Sequence, residues 1–300
     1  MSCADARIRS CPDRASWGRT LFKLSPLALP FGLLFLGGFG VAVAQSLGLG
    51  LPFPYSGGPL DAYARLLEPH YLRSFGLSLW VGVCSALLPV SIGSGLAYLF
   101  WKMPRGLQRA GVVYKVPLIL PHVAVAFIVL VFWSRSGWLA SAGHVLGLVD
   151  GPEAFPVPLY QGGLGMILAY VYKGTPFVML LALAALRRMD PRLAETARMF
   201  GAGEWLVFRS VVLPHLRPVM HTSFIILCLY AFGAFDIPFL LGQSDPGMLS
   251  MEVYNLYFRR DLVNRPTAMA ILVCMFLFSI AFIAVYVRLA ARLEAGERKL

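Results

Sequence analysis

Six stretches of this chain run for 18 to 37 residues without an Asp, Glu, Lys or Arg: 24–60, 74–101, 116–134, 154–172, 218–235 and 266–287. No other feature of the sequence constrains the fold as tightly. A 19-residue helix rises about 28 Å, close to the hydrocarbon thickness of a bilayer. Inside that layer the backbone must satisfy its own hydrogen bonds, which leaves helices or a closed barrel. The runs are too long and too uniformly apolar for barrel strands, whose residues alternate between lipid and lumen. The fold class expected is therefore all-α, a polytopic membrane protein with about six transmembrane helices, near 25–47, 74–100, 112–133, 162–186, 218–236 and 266–288. Composition agrees, with 58% apolar and 14% charged residues against about 45–50% and about 25% in soluble domains.

The net charge of +11 would suit a nucleic-acid partner if it were gathered on one face. It follows topology instead. Segments before span one, between two and three, between four and five and after six hold 19 Lys/Arg and 7 Asp/Glu, whereas the other side holds 6 and 8. This is the positive-inside asymmetry, so both termini are expected in the cytoplasm, with the lipid bilayer rather than nucleic acid as the chain's environment. Ala42-Val43-Ala44 mimics a signal-peptidase site, and a cleaved signal would leave five spans and the same asymmetry. A signal h-region is only about 7–15 residues, and the apolar stretch here is longer, so it is read as an uncleaved first span. The organisation expected is a basic segment 1–24, one membrane domain 25–290 and a charged tail 291–300.

Outside the spans, 48–73 ends in an amphipathic stretch suited to a short surface helix, 134–161 is Gly- and Pro-rich and reads as an irregular loop, and 237–265 contains a second short-helix candidate, MLSMEVYNLYF. Pro89 with Gly93 and Gly95, Pro117, Pro121, Gly174 and Pro176 interrupt the spans. Close helix packing explains them first, with hinges as the functional alternative.

A polar, arginine-rich stretch lies between spans four and five, about 188–214. Asp190 can cap a helix that starts at Pro191. Gly201 permits the backbone angle that ends it, and Gly203 adds a second joint. A new helix near Glu204 would lead into span five with Pro214 in its course. A short surface helix joined through glycine to a spanning helix can transmit a push as a lever. The spacing is Glu195-Thr196-Ala197, three residues, Gly201, nine residues, then Val211-Val212-Leu213-Pro214. It resembles the EAA loop of the permease subunits of binding-protein-dependent ABC importers, with Thr196 in place of an alanine and Val211 in place of an isoleucine. VYKGTPF (171–177), AFDIPFLLG (234–242) and DLVNRPTAMA (261–270) look like segments of polyamine-type (spermidine/putrescine) permeases.

That resemblance implies a type I ABC importer permease-like fold in a bacterial inner membrane. It also implies an ATP-binding cassette ATPase dimer bound to the loop, a second permease subunit making a homo- or heterodimer, and an external substrate-binding protein. Glu195, Thr196, Ala197, Gly201, Leu213 and Pro214 are then the ATPase-coupling residues. The chain is expected to bind no cofactor and to be no enzyme: it has no GxxxxGK[ST] to hold ATP phosphates, and the partner ATPase uses the ATP. The implied cargo is a polyamine or another small organic solute.

Lys173 is the one charge deep inside a span, a functional candidate by default. Its bland reading is a lysine bonded to backbone carbonyls at the Gly174/Pro176 irregularity, or one facing a water-filled cavity. A lysine on the route would repel a polyamine cation. Asp236, near the outer end of span five, is read as lining the outer mouth. Tyr170 and Tyr230, with Tyr172 and Phe232, are candidate path-lining residues. An ion-coupled secondary transporter using Lys173 and Asp236 as a relay is the alternative, and a membrane scaffold without a path a third reading. The five histidines (His70, His122, His144, His215, His221) lack HxxxH or HExxH spacing, and Cys3, Cys11, Cys84, Cys228 and Cys274 form no CxxC pair. No catalytic residue, metal site or disulfide framework is therefore expected.

Overall fold

Among the described residues each apolar run contributes a helix, the run 116–134 as two pieces. The computed structural model describes residues 14–53, 55–104, 111, 114–148, 150–151 and 161–297. Cys3, Cys11, most of the basic segment 1–24 and the last residues of the tail lie outside them. In chain order the elements are α1 (Arg14–Ser46), α2 (Asp61–Arg65), α3 (Pro69–Lys102), α4 (Val116–Ile119), α5 (His122–Trp133) and α6 (Trp138–Val145). They continue with α7 (Leu164–Leu186), α8 (Pro191–Met199), α9 (Glu204–Val207), α10 (Leu213–Gly233), α11 (Asp236–Leu241), α12 (Leu249–Tyr254) and α13 (Arg265–Glu297). Among the described residues, six helical segments are long and apolar enough to cross a membrane.

The centre of the bundle is the pair α3 and α7, flanked by α10. Lipid tails are as apolar as leucine, so spanning helices associate by close packing, which small residues permit. A Cβ on Gly93 would meet the Thr175 carbonyl oxygen and the Val178 Cβ at 2.8 Å, and one on Gly174 would meet the Pro89 ring at 3.0 Å. These two glycines are seats for neighbouring helices, so the packing explanation holds for them. Gly95 has nothing within 4 Å. Helix α1 lies against α13 at the edge, and none of its most apolar window is buried.

The third span departs from expectation. Instead of one helix over 112–133, Leu120 is extended (ψ 135°) and separates α4 from α5. The cause is local: Pro121 disfavours the helical region for the residue before it. Beyond Trp133 the irregular loop expected over 134–161 holds α6, while 152–160 lies outside the described residues. Both short surface helices form, as α2 and α12. Span five ends at Gly233, so Asp236 starts the separate helix α11 rather than closing the span.

Candidate functional site

The bundle presents two candidate sites, a loop at its basic end and a cavity within it. The loop forms as its residues dictate. The Asp190 side chain accepts a hydrogen bond from the Arg192 N–H at 3.0 Å and caps α8, with Pro191 in the first helical turn. Gly201 takes a φ of +81°, a left-handed angle that other residues adopt at a cost, and ends the helix. From Glu204 the chain runs helically to Gly233, with one π turn at Phe208–Val212. That turn immediately precedes Leu213 and Pro214. Proline cannot donate to the carbonyl four residues back, and a π turn is one way a helix absorbs the missing bond.

Glu195 and Thr196 are exposed and Ala197 half-buried, while Ala194 faces the bundle at 1% exposure. Around them Leu193, Met199, Phe200 and Trp205 stand bare. Sequence reasoning missed what ties this loop down. Glu204 accepts hydrogen bonds from Lys102 on α3, from Arg198 on α8 at 3.0 Å and from Tyr98 on α3 at 3.2 Å. The Lys102 ammonium also lies 4.8 Å from the Tyr98 ring centroid. The available signal was an acidic residue in the first turn after a glycine joint, with basic residues on the same side of the membrane.

The cavity, about 220 Å³, lies between α3, α4, α5, α7 and α10. Ser85, His122, Tyr170, Lys173 and Tyr230 supply its polar groups, and Leu118, Phe177 and Ile226 much of its apolar wall. Lys173 donates a hydrogen bond to the Leu120 carbonyl. That acceptor sits at the break before Pro121, not at the Gly174/Pro176 irregularity. Irregular backbone at membrane depth is tolerated where it lines a cavity, and Leu118 and His122 on either side of this break line one. His122 lies against Tyr230 with ring centroids 5.0 Å apart, and Tyr170 meets Tyr230 edge-on at 6.3 Å. Among the described residues, the Ser85 and Tyr170 hydroxyls have no hydrogen-bond partner, although the residues are only 1% and 5% exposed. An orphan polar group of this kind costs about 1–3 kcal/mol.

Three of the six path candidates expected from sequence, Tyr170, Lys173 and Tyr230, thus meet in one cavity. Asp236 does not line it. It is exposed at the start of α11, near enough for His122, Tyr170 and Tyr230 to feel its charge. Among the described residues no ion pair joins Asp236 to Lys173. Tyr172 points away and is 43% exposed, and Phe232 is buried in an apolar cluster with Tyr71 and Leu249. Ser85 and His122 were not singled out, though Ser74, Ser78 and Ser85 recur on one helical face.

At the opposite end, the His70 ring stands 3.4 Å from the Asp245 carboxylate and 3.2 Å from that of Glu252, which is 3% exposed. The Ser78 hydroxyl accepts the Leu249 N–H at 2.9 Å, fixing the start of α12 against α3. Among the described residues no cluster of His, Cys, Asp and Glu is arranged to hold a metal ion.

A family profile described as "Binding-protein-dependent transport system inner membrane component" matches residues 88–295. The trehalose transport system permease protein SugA of Mycobacterium tuberculosis is 27% identical over 221 residues, covering 73% of this chain and 70% of that protein. The spermidine/putrescine transport system permease protein PotB of Salmonella typhimurium is 26% identical over 189 residues, covering 62% and 63%. In fold, the chain superposes on one chain of a bacterial ABC transporter involved in the import of the acidic polysaccharide alginate. The TM-score is 0.73 at 21% identity, with 93% of this chain and 96% of that chain covered.

Proposed function

The chain belongs to the family of binding-protein-dependent transport system inner membrane components, and on that premise we propose how it is driven and what its cavity does. As an ABC importer permease subunit it is a transport component rather than an enzyme. A separate ATPase dimer docks on the loop around α8, an external binding protein delivers cargo at the opposite end, and a second permease subunit completes the path. Both termini then face the cytoplasm.

One observation carries this reading. A bare, capped surface helix is joined by Gly201 to a single helical rod that runs from Glu204 to Gly233. The rod lines the cavity with Ile226, Leu227 and Tyr230. Glu204 and Tyr230 are 26 residues apart, about 39 Å along a helix. A displacement of α8 therefore reaches the cavity wall along one helical course, although Pro214 and Pro218 each remove a backbone hydrogen bond from it. Glu204 recruits the end of α3 to the same movement through Lys102 and Tyr98. Closing the ATPase dimer would draw the paired loops together and turn the cavity outward, and hydrolysis would reset it. Glu195, Thr196, Ala197 and Gly201 serve the docking and the joint, while Leu213 and Pro214 fix the exit into span five.

The cavity is the translocation path, with Lys173, Tyr170 and Tyr230 on its wall and Asp236 at its outer mouth. The cargo is a small polar solute, and the polyamine resemblance is one member of that class. The relatives' own names mention trehalose in one case and spermidine and putrescine in another, so they narrow the class no further. The ion-coupled alternative is not favoured, because Lys173 is bonded to Leu120 and the family's partners supply the energy.

The test is purification from native membranes in mild detergent, with partners identified by mass spectrometry. Wild type should carry an ATP-binding subunit that the Glu195→Arg variant loses. A wild-type chain that purifies alone, under conditions where other membrane complexes stay whole, would sink the proposal.

A further inference from the structure

The cavity's polar groups are unbalanced in a way that selects cargo by charge. Lys173 is intermediate in exposure and spends one bond on the Leu120 carbonyl. An ammonium has three donors and no acceptor, so further donors remain. The Ser85 and Tyr170 hydroxyls line the same space, are at least nine-tenths buried, and bond to nothing among the described residues. Buried polar groups are ordinarily satisfied, and those that are not call for an explanation. His122 and Tyr230 add a ring nitrogen and a phenol to the wall. Among the described residues no carboxylate lines the cavity; Asp236 is exposed at the start of α11.

We propose that this cavity binds a carboxylate borne on a small hydroxylated solute, with Lys173 meeting its charge and the Ser85 and Tyr170 hydroxyls bonding its oxygens. The inference rests on the reading of the cavity as the translocation path. At about 220 Å³ the cavity is smaller than the about 300–1,000 Å³ typical of sites for drug-sized ligands. It therefore takes one small solute, or one unit of a longer one. A cation is disfavoured because Lys173 repels it and no carboxylate among the described lining residues meets its charge. The polyamine expectation from sequence thus conflicts with the chemistry of the wall.

A charge series on one ring tests this. Glucuronate, glucose and glucosamine share a pyranose and carry a negative, neutral and positive charge. Binding of each, labelled, to the purified detergent-solubilised importer complex is measured up to 10 mM. The expected order is glucuronate, glucose, glucosamine, with at least tenfold between first and last. Lys173→Met should abolish the order and Lys173→Arg should keep it. Tyr170→Phe, which leaves the Leu120 bond intact, should weaken glucuronate at least threefold, so a misfolded lysine variant would not shield the idea. Glucosamine binding as well as glucuronate, or an order that survives Lys173→Met, overturns the charge assignment while leaving the path standing. No saturable binding of any of the three overturns both.

Discussion

At the basic end of the bundle, Met199, Phe200 and Trp205 are 86%, 88% and 71% exposed on a polar loop. Inside the bundle, the hydroxyls of Ser85 and Tyr170 are buried without a hydrogen-bond partner among the described residues. The two regions break the ordinary partition of polar and apolar groups in opposite senses, and each exception points to something the isolated chain lacks. Bare aromatic side chains beside a charged helix suit a protein surface that covers them. Buried orphan hydroxyls suit a polar guest that enters and leaves.

The comparison is most easily broken at the joint. Gly201→Trp forces a left-handed angle on a side chain that resists it, at a cost of about 1–2 kcal/mol, and sets a large ring where the loop must dock. Nothing lies within 4 Å of a Cβ there, so the chain should still insert normally. ATP-driven uptake into proteoliposomes should fall at least tenfold, and normal uptake would count strongly against the lever. Phe200→Ser sharpens the contrast at the exposed end. It should leave the melting temperature of the isolated chain within about 2 °C, as surface changes usually do, while cutting ATPase capture several-fold. A large drop in melting temperature would mean that the ring serves this chain's own packing.

Tyr170→Phe probes the buried end and should have the smallest effect on the protein itself. Removing a hydroxyl with no partner costs no internal hydrogen bond, so thermal stability should hold or rise slightly. Loss of stability by more than about 1 kcal/mol, measured by denaturant unfolding, would show that the hydroxyl is structurally bonded and would remove one support for a polar guest.

Much of the loop was legible because its determinants are local. A capping Asp190, a proline at the helix start, a glycine where the angle turns left-handed and a proline in the next helix act within a few residues of themselves. The break before Pro121 was less legible, since spanning helices can tolerate proline when neighbours supply the missing bonds. Here the neighbour is Lys173, 53 residues away in the chain, and no pattern in either segment announces that pairing. The assignment of Asp236 to the end of span five erred by a few residues, enough to place it on a separate helix outside the cavity wall.

What the sequence determined by itself is therefore what hydropathy, charge asymmetry and local backbone preference determine. They give six spans, a basic side and a jointed helix on that side, because each depends on a property summed along one segment. Only the tertiary structure decided that Lys173, Tyr170 and Tyr230 meet Ser85 and His122, that Glu204 holds Lys102, Arg198 and Tyr98, and that Glu252 is buried beside His70. Those outcomes depend on how helices rotate about their axes and how closely they approach. Both are set by glycine seats such as Gly93 and Gly174, whose partners lie on other helices.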